Sequence, residues 1–327
     1  MSYCEVQASM PGQIACAGRS PCPSLLGVTM HVGQLSISHA TVRVLVDEQF
    51  PEWRNLQIRS VTGLGTDNAI FRVGDRFAAR FPLQPSDFET TRRRLQDEAA
   101  AARELAGRTR FPTPEPVALG EPGAGYPLPW AVQTWLTGVA ATDEDPGESV
   151  AFACELAEFI RGVRAIDTRG RTFGGDGRGG ELQSHDDWMR TCFRHSEGLM
   201  DVSVLRSMWS IMRELPRGAT DDVMNHGDLI PGNVLVSGGH LAGILDVGGL
   251  GPADPALDLV SAWHLLDAGP RRILRDQLEC DDLEWERGRA WAFHQAMGLV
   301  WYYIDSNPIM SRIGLRTLDR IAADMPA

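Results

Sequence analysis

The sequence predicts an α+β fold in two lobes, an N-terminal lobe built on an antiparallel sheet and a mainly helical C-terminal lobe. Three observations carry this. Short strand-like runs crowd the first part of the chain, long helical patterns dominate after Gly138, and one compact strand-rich stretch interrupts the helices at 223–246.

Residues 1–29 are rich in Gly, Pro, Ser and Cys and lack periodicity, so they read as a disordered tail. Arg19 is its only basic residue and the apolar stretch at 25–28 is short, which argues against a signal peptide. Met30 opens the first patterned segment, and a native start downstream of Met1 is the matching expectation. A helix is expected over 38–49, stopping before Pro51. Strands follow at 56–61, 69–73 and 77–81, the last two joined by the turn Gly74-Asp75-Arg76. A helix over 87–106 ends at Gly107, ahead of Pro112, Pro114 and Pro116. Residues 130–136 read as another strand, closed by Thr137-Gly138. The first lobe is therefore assigned to 30–132, a hinge to 133–138 and the second lobe to 139–327. The second lobe has helices expected at 147–166, 186–200, 202–215, 255–266 and 283–304, with the Gly/Arg-rich segment 170–180 as a loop.

Composition narrows the function classes. A formal net charge of −12 opposes a general affinity for nucleic acid or an anionic membrane, both of which need a basic face. It suits a cationic small molecule. No apolar run approaches the roughly 18 residues of a membrane span. The six cysteines form no C-x-x-C pair, which makes a reducing cytoplasm the expected compartment. All 31 basic residues other than histidine are arginine, so any task that needs a side-chain cation falls to a group that keeps its charge.

The strongest signal is Asn225-His226-Gly227-Asp228-Leu229-Ile230-Pro231-Gly232-Asn233. Apolar runs on either side of Gly238-Gly239 make a hairpin that ends at Asp246. Folding it brings Asn233 and Asp246 together, and Asp228 lies five residues before Asn233. Two carboxylates and an amide then converge on one spot. Such oxygen ligands suit Mg²⁺ completed by phosphate and water, and a carboxylate beside them can take the proton of an attacking hydroxyl. Turn and capping roles are the alternative for Asp and Asn.

This stretch resembles the catalytic segment of the aminoglycoside phosphotransferases, a family that shares the protein kinase fold. The likeness continues into Gly251-Pro252-Ala253-Asp254-Pro255-Ala256-Leu257-Asp258-Leu259 and runs in order from about 61 to 321. The resemblance implies an ATP- and Mg²⁺-dependent transfer of phosphate to a small-molecule hydroxyl. It assigns the catalytic base to Asp228 and the metal to Asn233 and Asp246. Val247 stands where the family usually has Phe, and Ala253 where it commonly has Gly. Asp254 and Asp258 are expected to be structural, Asp254 as a helix cap before Pro255. His226 is expected to support the loop by hydrogen bonding.

The same resemblance organises the first lobe. Gly63-Leu64-Gly65-Thr66-Asp67-Asn68 joins two strands and can place backbone N–H groups over phosphates, with Gly65, Thr66 and Asn68 as candidates. Leu95, Glu98, Ala102 and Leu105 share one helical stripe, so Glu98 is a carboxylate on an apolar face and needs a cation. The kinase fold pairs a strand lysine with a helix Glu at the α- and β-phosphates. Here Arg80 takes that place, with an ordinary ion pair as the alternative. In the hinge the Thr134 carbonyl and Leu136 amide are candidates for adenine, with Gln133 behind them.

The acceptor side is less distinct. Asp186 reads equally as a helix cap or a ligand. Asp281 and Asp282, with Glu284 and Glu286, form an acidic cluster able to hold ammonium groups, although such runs are more often solvated faces or helix N-termini. Trp301, Tyr302 and Tyr303 read as core, and His31, His39, His195, His264 and His294 as structural or exposed.

Overall fold

Alternation along three strands sets up the first lobe. The computed structural model describes residues 34–61, 67–175, 177–218 and 221–324. Helix α1 (His39–Gln49) is capped by the Ser38 hydroxyl, which accepts from the Thr41 N–H. After it come strands β1 (Ile58–Val61), β2 (Asn68–Val73) and β3 (Phe77–Pro82), then helix α2 (Phe88–Leu105), β4 (Pro116–Gly120) and β5 (Trp130–Thr134). The five strands form an antiparallel sheet in the order β1-β2-β3-β5-β4.

One face of that sheet presents Phe71, Val73, Ala79, Phe81, Trp130 and Val132 to Val42, Leu45 and Val46 of α1. Phe81 stacks on Trp130 with ring centroids 4.6 Å apart. Burying side chains of this size contributes roughly 1.5–3 kcal/mol each, enough to fix the register. Arg80 and Gln133, one position out of phase, are thereby turned to the opposite face, toward α2. Strand β4 escapes a reading from sequence because Pro116 opens it. It lies on the sheet edge, where a missing N–H costs no ladder bond.

The second lobe runs through β6 (Val139–Ala140), α3 (Val150–Arg164), α4 (Asp186–Ser196), α5 (Val202–Met212), β7 (Val223–Asn225), β8 (Val234–Ser237), β9 (His240–Ile244), β10 (Gly251–Ala253), α6 (Val260–Leu265), α7 (Ala268–Leu278), α8 (Asp282–Tyr302) and α9 (Pro308–Ala323). Helix α8 is buried almost without interruption from Trp285 to Val300, which explains why it lacks a polar face, its enclosed polar side chains including Arg287, His294 and Gln295. The helix expected over 255–266 is divided, a 3₁₀ turn at Pro255–Leu259 leading into α6. Helices α7 and α9 carry Pro270 and Pro308 in their first turns, where proline costs no intrahelical bond. These prolines look like breakers in the sequence.

The hairpin β8–β9 pairs Val234 with Ile244, and the Leu245 N–H donates to the Asn233 carbonyl at 2.8 Å. Gly238 and Gly239 turn it at φ +58° and +76°, a conformation that side chains with a Cβ resist. The expected tail at 1–29, and with it the question of the native start, lies outside the described residues. Among the described residues Cys154, Cys192 and Cys280 are free thiols, and no helix is long and apolar enough to cross a membrane.

Candidate active site

The loop between β7 and β8 is built from its backbone outward. Gly227 adopts φ +85°, and a Cβ there would lie 3.3 Å from the Gly249 carbonyl. The fully buried Asp258 carboxylate accepts from both N–H groups before Asp228, His226 at 2.7 Å and Gly227 at 2.8 Å. Burial pushes the Asp258 carboxyl upward, against the pull of those donors and of nearby cationic groups. His226 Nε2 lies 3.0 Å from the Leu245 carbonyl, while its Nδ1 accepts weakly from the Asp228 N–H at 3.3 Å. The imidazole thus ties the loop to the end of the β8–β9 hairpin, in the supporting role expected of it.

Two of the three residues read from the motif bond directly, and Asp246 follows Leu245, whose N–H pairs with the Asn233 carbonyl. Asn233 Nδ2 donates to Asp228 Oδ2 at 2.9 Å and to the Asp228 carbonyl at 3.0 Å. Asp246 follows the hairpin in the left-handed region at φ +54°, uncommon for a residue with a Cβ. Two further donors meet Asp228 that the motif does not contain. Arg178 Nη2 donates to Oδ1 at 2.9 Å and to the Gly227 carbonyl at 2.9 Å, and Gln295 Nε2 donates to Oδ1 at 2.8 Å. Arg178 is nearly inaccessible, its side chain 1% exposed against 7% for Asp228. A charge buried to that degree demands a partner.

Across the cleft Arg80 Nη1 donates to Glu98 Oε2 at 3.2 Å and lies 3.4 Å from Gln133 Oε1, while Nη2 reaches Asp246 Oδ1 at 3.5 Å. Burial works against the guanidinium charge, but the Asp246 and Glu98 carboxylates outweigh it and hold its pKa above the usual arginine value. The glycine after Val247 makes room for this cluster. A Cβ on Gly248 would come within 2.7 Å of Glu98 Cγ.

The other expected residues fall as follows. Gly65 and Thr66 lie outside the described residues. Asn68 opens β2, paired with Pro82. Thr134 ends β5, its N–H donating to the Glu115 carbonyl at 2.9 Å and its hydroxyl accepting from the Glu115 N–H at 2.9 Å. Leu136, just beyond, packs against β9 so closely that a Cβ on Gly243 would meet its Cδ1 at 3.1 Å.

On the acceptor side the structure shows how each acid is engaged. Asp186 is the first residue of α4, not its cap. Arg213 grips its carboxylate through Nε and Nη2, Trp209 Nε1 donates to it at 3.0 Å, and these bonds lower its pKa. It clasps α4 to α5. Asp281 caps α8 by accepting from the Glu284 N–H at 2.8 Å, and the exposed Asp282 pairs with Arg275. Thirteen helical positions separate Asp282 from Gln295, so the acidic cluster stands about 20 Å along the axis from the Asp228 contact. The acid-rich helix start satisfies its own N–H groups instead of facing the cleft.

Sequence reading passed over Arg178, which sits in a Gly/Arg-rich loop without periodicity. It also missed Gln295, although an amide inside the apolar run Ala292-Phe293-His294-Gln295-Ala296-Met297 is a legible sign of a buried partner.

Comparison with known proteins places the chain in a family. Residues 60–291 match the model of the phosphotransferase enzyme family. An aminoglycoside 3′-phosphotransferase from Escherichia coli is 29% identical over 153 residues, covering 42% of this chain and 52% of the relative. One from Streptomyces fradiae is 33% identical over 174 residues, covering 49% of this chain and 60% of the relative. The chain thus spans only about half to three-fifths of these curated relatives. Among solved structures, the GDP complex of an aminoglycoside 2′-phosphotransferase-IIIa superposes with a TM-score of 0.63 at 18% identity, covering 88% of this chain and 99% of the other. The apoenzyme of the macrolide 2′-phosphotransferase MphH from Brachybacterium faecium does so with a TM-score of 0.57 at 17% identity, covering 87% and 99%. These likenesses establish the kinase-like fold, and with the family match over most of its length the chain belongs to the phosphotransferase enzyme family.

Proposed function

We propose that this protein transfers the γ-phosphate of ATP to a hydroxyl of an aminoglycoside-type small molecule, with Asp228 as catalytic base. The observation that carries this reading is the Asp228 carboxylate itself, buried and held by three donors, Arg178, Asn233 and Gln295. Asp228 takes the hydroxyl proton as that oxygen attacks the γ-phosphorus, and the bond to the β–γ bridging oxygen breaks to release ADP.

Asn233 and Asp246 supply the donor set for Mg²⁺. Asn233 has turned its amide nitrogen to Asp228, which directs its oxygen away from that carboxylate. Among the described residues no cluster of three or more His, Cys, Asp or Glu side chains could hold a metal alone. That fits an ion which keeps waters and phosphate oxygens among its ligands. When bound, Mg²⁺ neutralises charge on the phosphates. Arg80, braced by Glu98, holds the α- and β-phosphates, and Gly65, Thr66 and Asn68 are assigned from sequence to the same phosphates. Gln133, the Thr134 carbonyl and the Leu136 amide line the adenine pocket.

The acceptor class rests on the names of the curated relatives and on the acidic balance of the chain. The test is ATP turnover with panels of aminoglycosides, macrolides, sugars and amino alcohols. Turnover confined to a sugar or an amino alcohol would replace the acceptor with that of a metabolic kinase. Tight Mg–ATP binding with no turnover on any acceptor would make the protein a pseudokinase. Replacing Asp228 with Ala should cost several orders of magnitude in kcat while ATP still binds, and a variant of near-normal rate ends the base assignment.

A further inference from the structure

Of the three donors on the Asp228 carboxylate, the sequence motif provides only Asn233. An ionised carboxylate offers about four lone-pair positions, two on each oxygen. Arg178 and Gln295 both serve Oδ1, and Asn233 serves Oδ2. The remaining accepting position is therefore on Oδ2.

The orientation of Gln295 follows from chemistry. A carboxylate only accepts, so the amide must face Asp228 with its nitrogen. Its oxygen then points to His264 Nε2, 3.1 Å away. A carbonyl oxygen also only accepts, so Nε2 must carry hydrogen. Burial pushes the His264 pKa down to about 3, which leaves a neutral ring with a single N–H. Nδ1 is consequently an acceptor and takes the Thr317 hydroxyl, 2.9 Å away. That hydroxyl also lies 2.9 Å from the Ile313 carbonyl, but its one proton is required by His264. A directional chain thus runs from Thr317 on α9 through His264 on α6 and Gln295 on α8 to Asp228. All four residues are buried, at 0%, 0%, 3% and 5% exposure. Polar groups so enclosed lock one another's orientation, since any member turned around leaves unpaired atoms.

We propose that Gln295, oriented by His264, is a positioning residue that fixes the Asp228 carboxylate with Oδ2 presented to the acceptor hydroxyl. The proposal rests on the reading of Asp228 as base. Nothing in the loop motif assigns this task, because the constraint arrives from three helices of the second lobe.

The experiment compares Gln295→Met, His264→Phe, the double variant and Asp228→Asn, following ATP turnover with the best acceptor or, lacking one, with water. Gln295→Met keeps the length and removes the donor. It should lower kcat roughly 10- to 100-fold, the scale of a small misplacement of a reacting group, while the KM for ATP stays within about twofold of wild type. His264→Phe should give a similar loss, and the double variant no further one, because the two act through a single contact. Nitrogen-15 chemical shifts of His264 in the wild-type protein supply a readout independent of turnover and of variant folding. They should report hydrogen on Nε2. An Nδ1–H ring, additive losses, or an undiminished kcat in Gln295→Met beside an inactive Asp228→Asn would each overturn the proposal alone. An Asp228→Asn protein of wild-type rate would overturn the base reading and this proposal with it.

Discussion

Arg80 and Glu98 face one another at 3.2 Å, and the same guanidinium reaches Asp246 from its other nitrogen. In a chain with 31 arginines and no lysine, the cation of this lobe is a fork able to touch helix α2 and the far side of the cleft at once. Arg80→Met should therefore raise the KM for ATP roughly 10- to 100-fold, as expected for losing a charge-assisted contact of about 1.5–3 kcal/mol. Arg80→Lys should recover only part of that, since an ammonium is a single point of charge. Steady-state kinetics at varied ATP check both, and an unchanged KM in Arg80→Met would reduce the pair to an ordinary ion pair.

Gly248 tests the same cluster from its other side. A methyl group there meets Glu98 Cγ at 2.7 Å, too close for any real contact. Gly248→Ala should displace the Glu98 side chain and reproduce the ATP KM of Glu98→Gln. The overpacking cost should stay near 1–3 kcal/mol in a urea melt. A Gly248→Ala protein with wild-type KM would mean that Glu98 can reach Arg80 by another rotamer.

What the sequence reveals of this site divides by range. Asn233 and Asp246 are legible because a local hairpin with two glycines leaves one way to fold them together. Glu98 is legible because a carboxylate on an apolar stripe needs a cation. Gln295 and Arg178 reach Asp228 from 67 and 50 positions away. Which face of α8 meets the loop is settled by packing across the second lobe, not by any local pattern. Asp281 and Asp282 stay ambiguous in sequence, and the structure gives them the helix-start role that such runs more often have. Acids at a helix start satisfy free N–H groups, and the same residues in a row look like a cation site. Proline does the same to β4, α7 and α9, since in sequence an edge strand or a first turn looks no different from a break.

Asp258 carries the loop before Asp228 on two backbone bonds, and both its oxygens are used. In Asp258→Asn one oxygen becomes an amine whose hydrogens confront an N–H, so at least one buried donor loses its acceptor. The expected cost is about 1–3 kcal/mol. The loop should loosen with it, so kcat should fall further than the residual folded fraction explains. Chemical denaturation beside kinetics at a temperature where the variant is fully folded separates the two. A variant that loses stability but keeps its kcat when folded would confine Asp258 to holding the second lobe together.

Acid should weaken this fold earlier than its carboxylates alone require. His264 is buried and neutral with its pKa pushed down to about 3, and burial drives His294 well below 6.5 and His185 in the same direction. A histidine whose folded pKa is depressed costs nothing above its unfolded value near 6.5. Below that value the unfolded chain takes up a proton that the folded one refuses, and the loss grows until the folded pKa is reached. For His264 alone the loss at pH 5 is about 2 kcal/mol, 1.5 pH units at about 1.36 kcal/mol each. His294 adds to it with the same sign. Carboxylates held low by arginine partners, such as Asp186, act only at lower pH, because their unfolded values lie near 3.8. Between pH 6.5 and 4.5 the buried histidines therefore lower stability, opposed in part by Asp258 and Glu286, whose pKa values burial raises. Urea midpoints should fall steadily from pH 7 to pH 5, and His264→Gln should flatten that slope relative to wild type. A slope that His264→Gln leaves unchanged would mean that the His264 ring takes up its proton in the folded protein, and the single N–H that orders the chain from Thr317 to Asp228 would be lost with it.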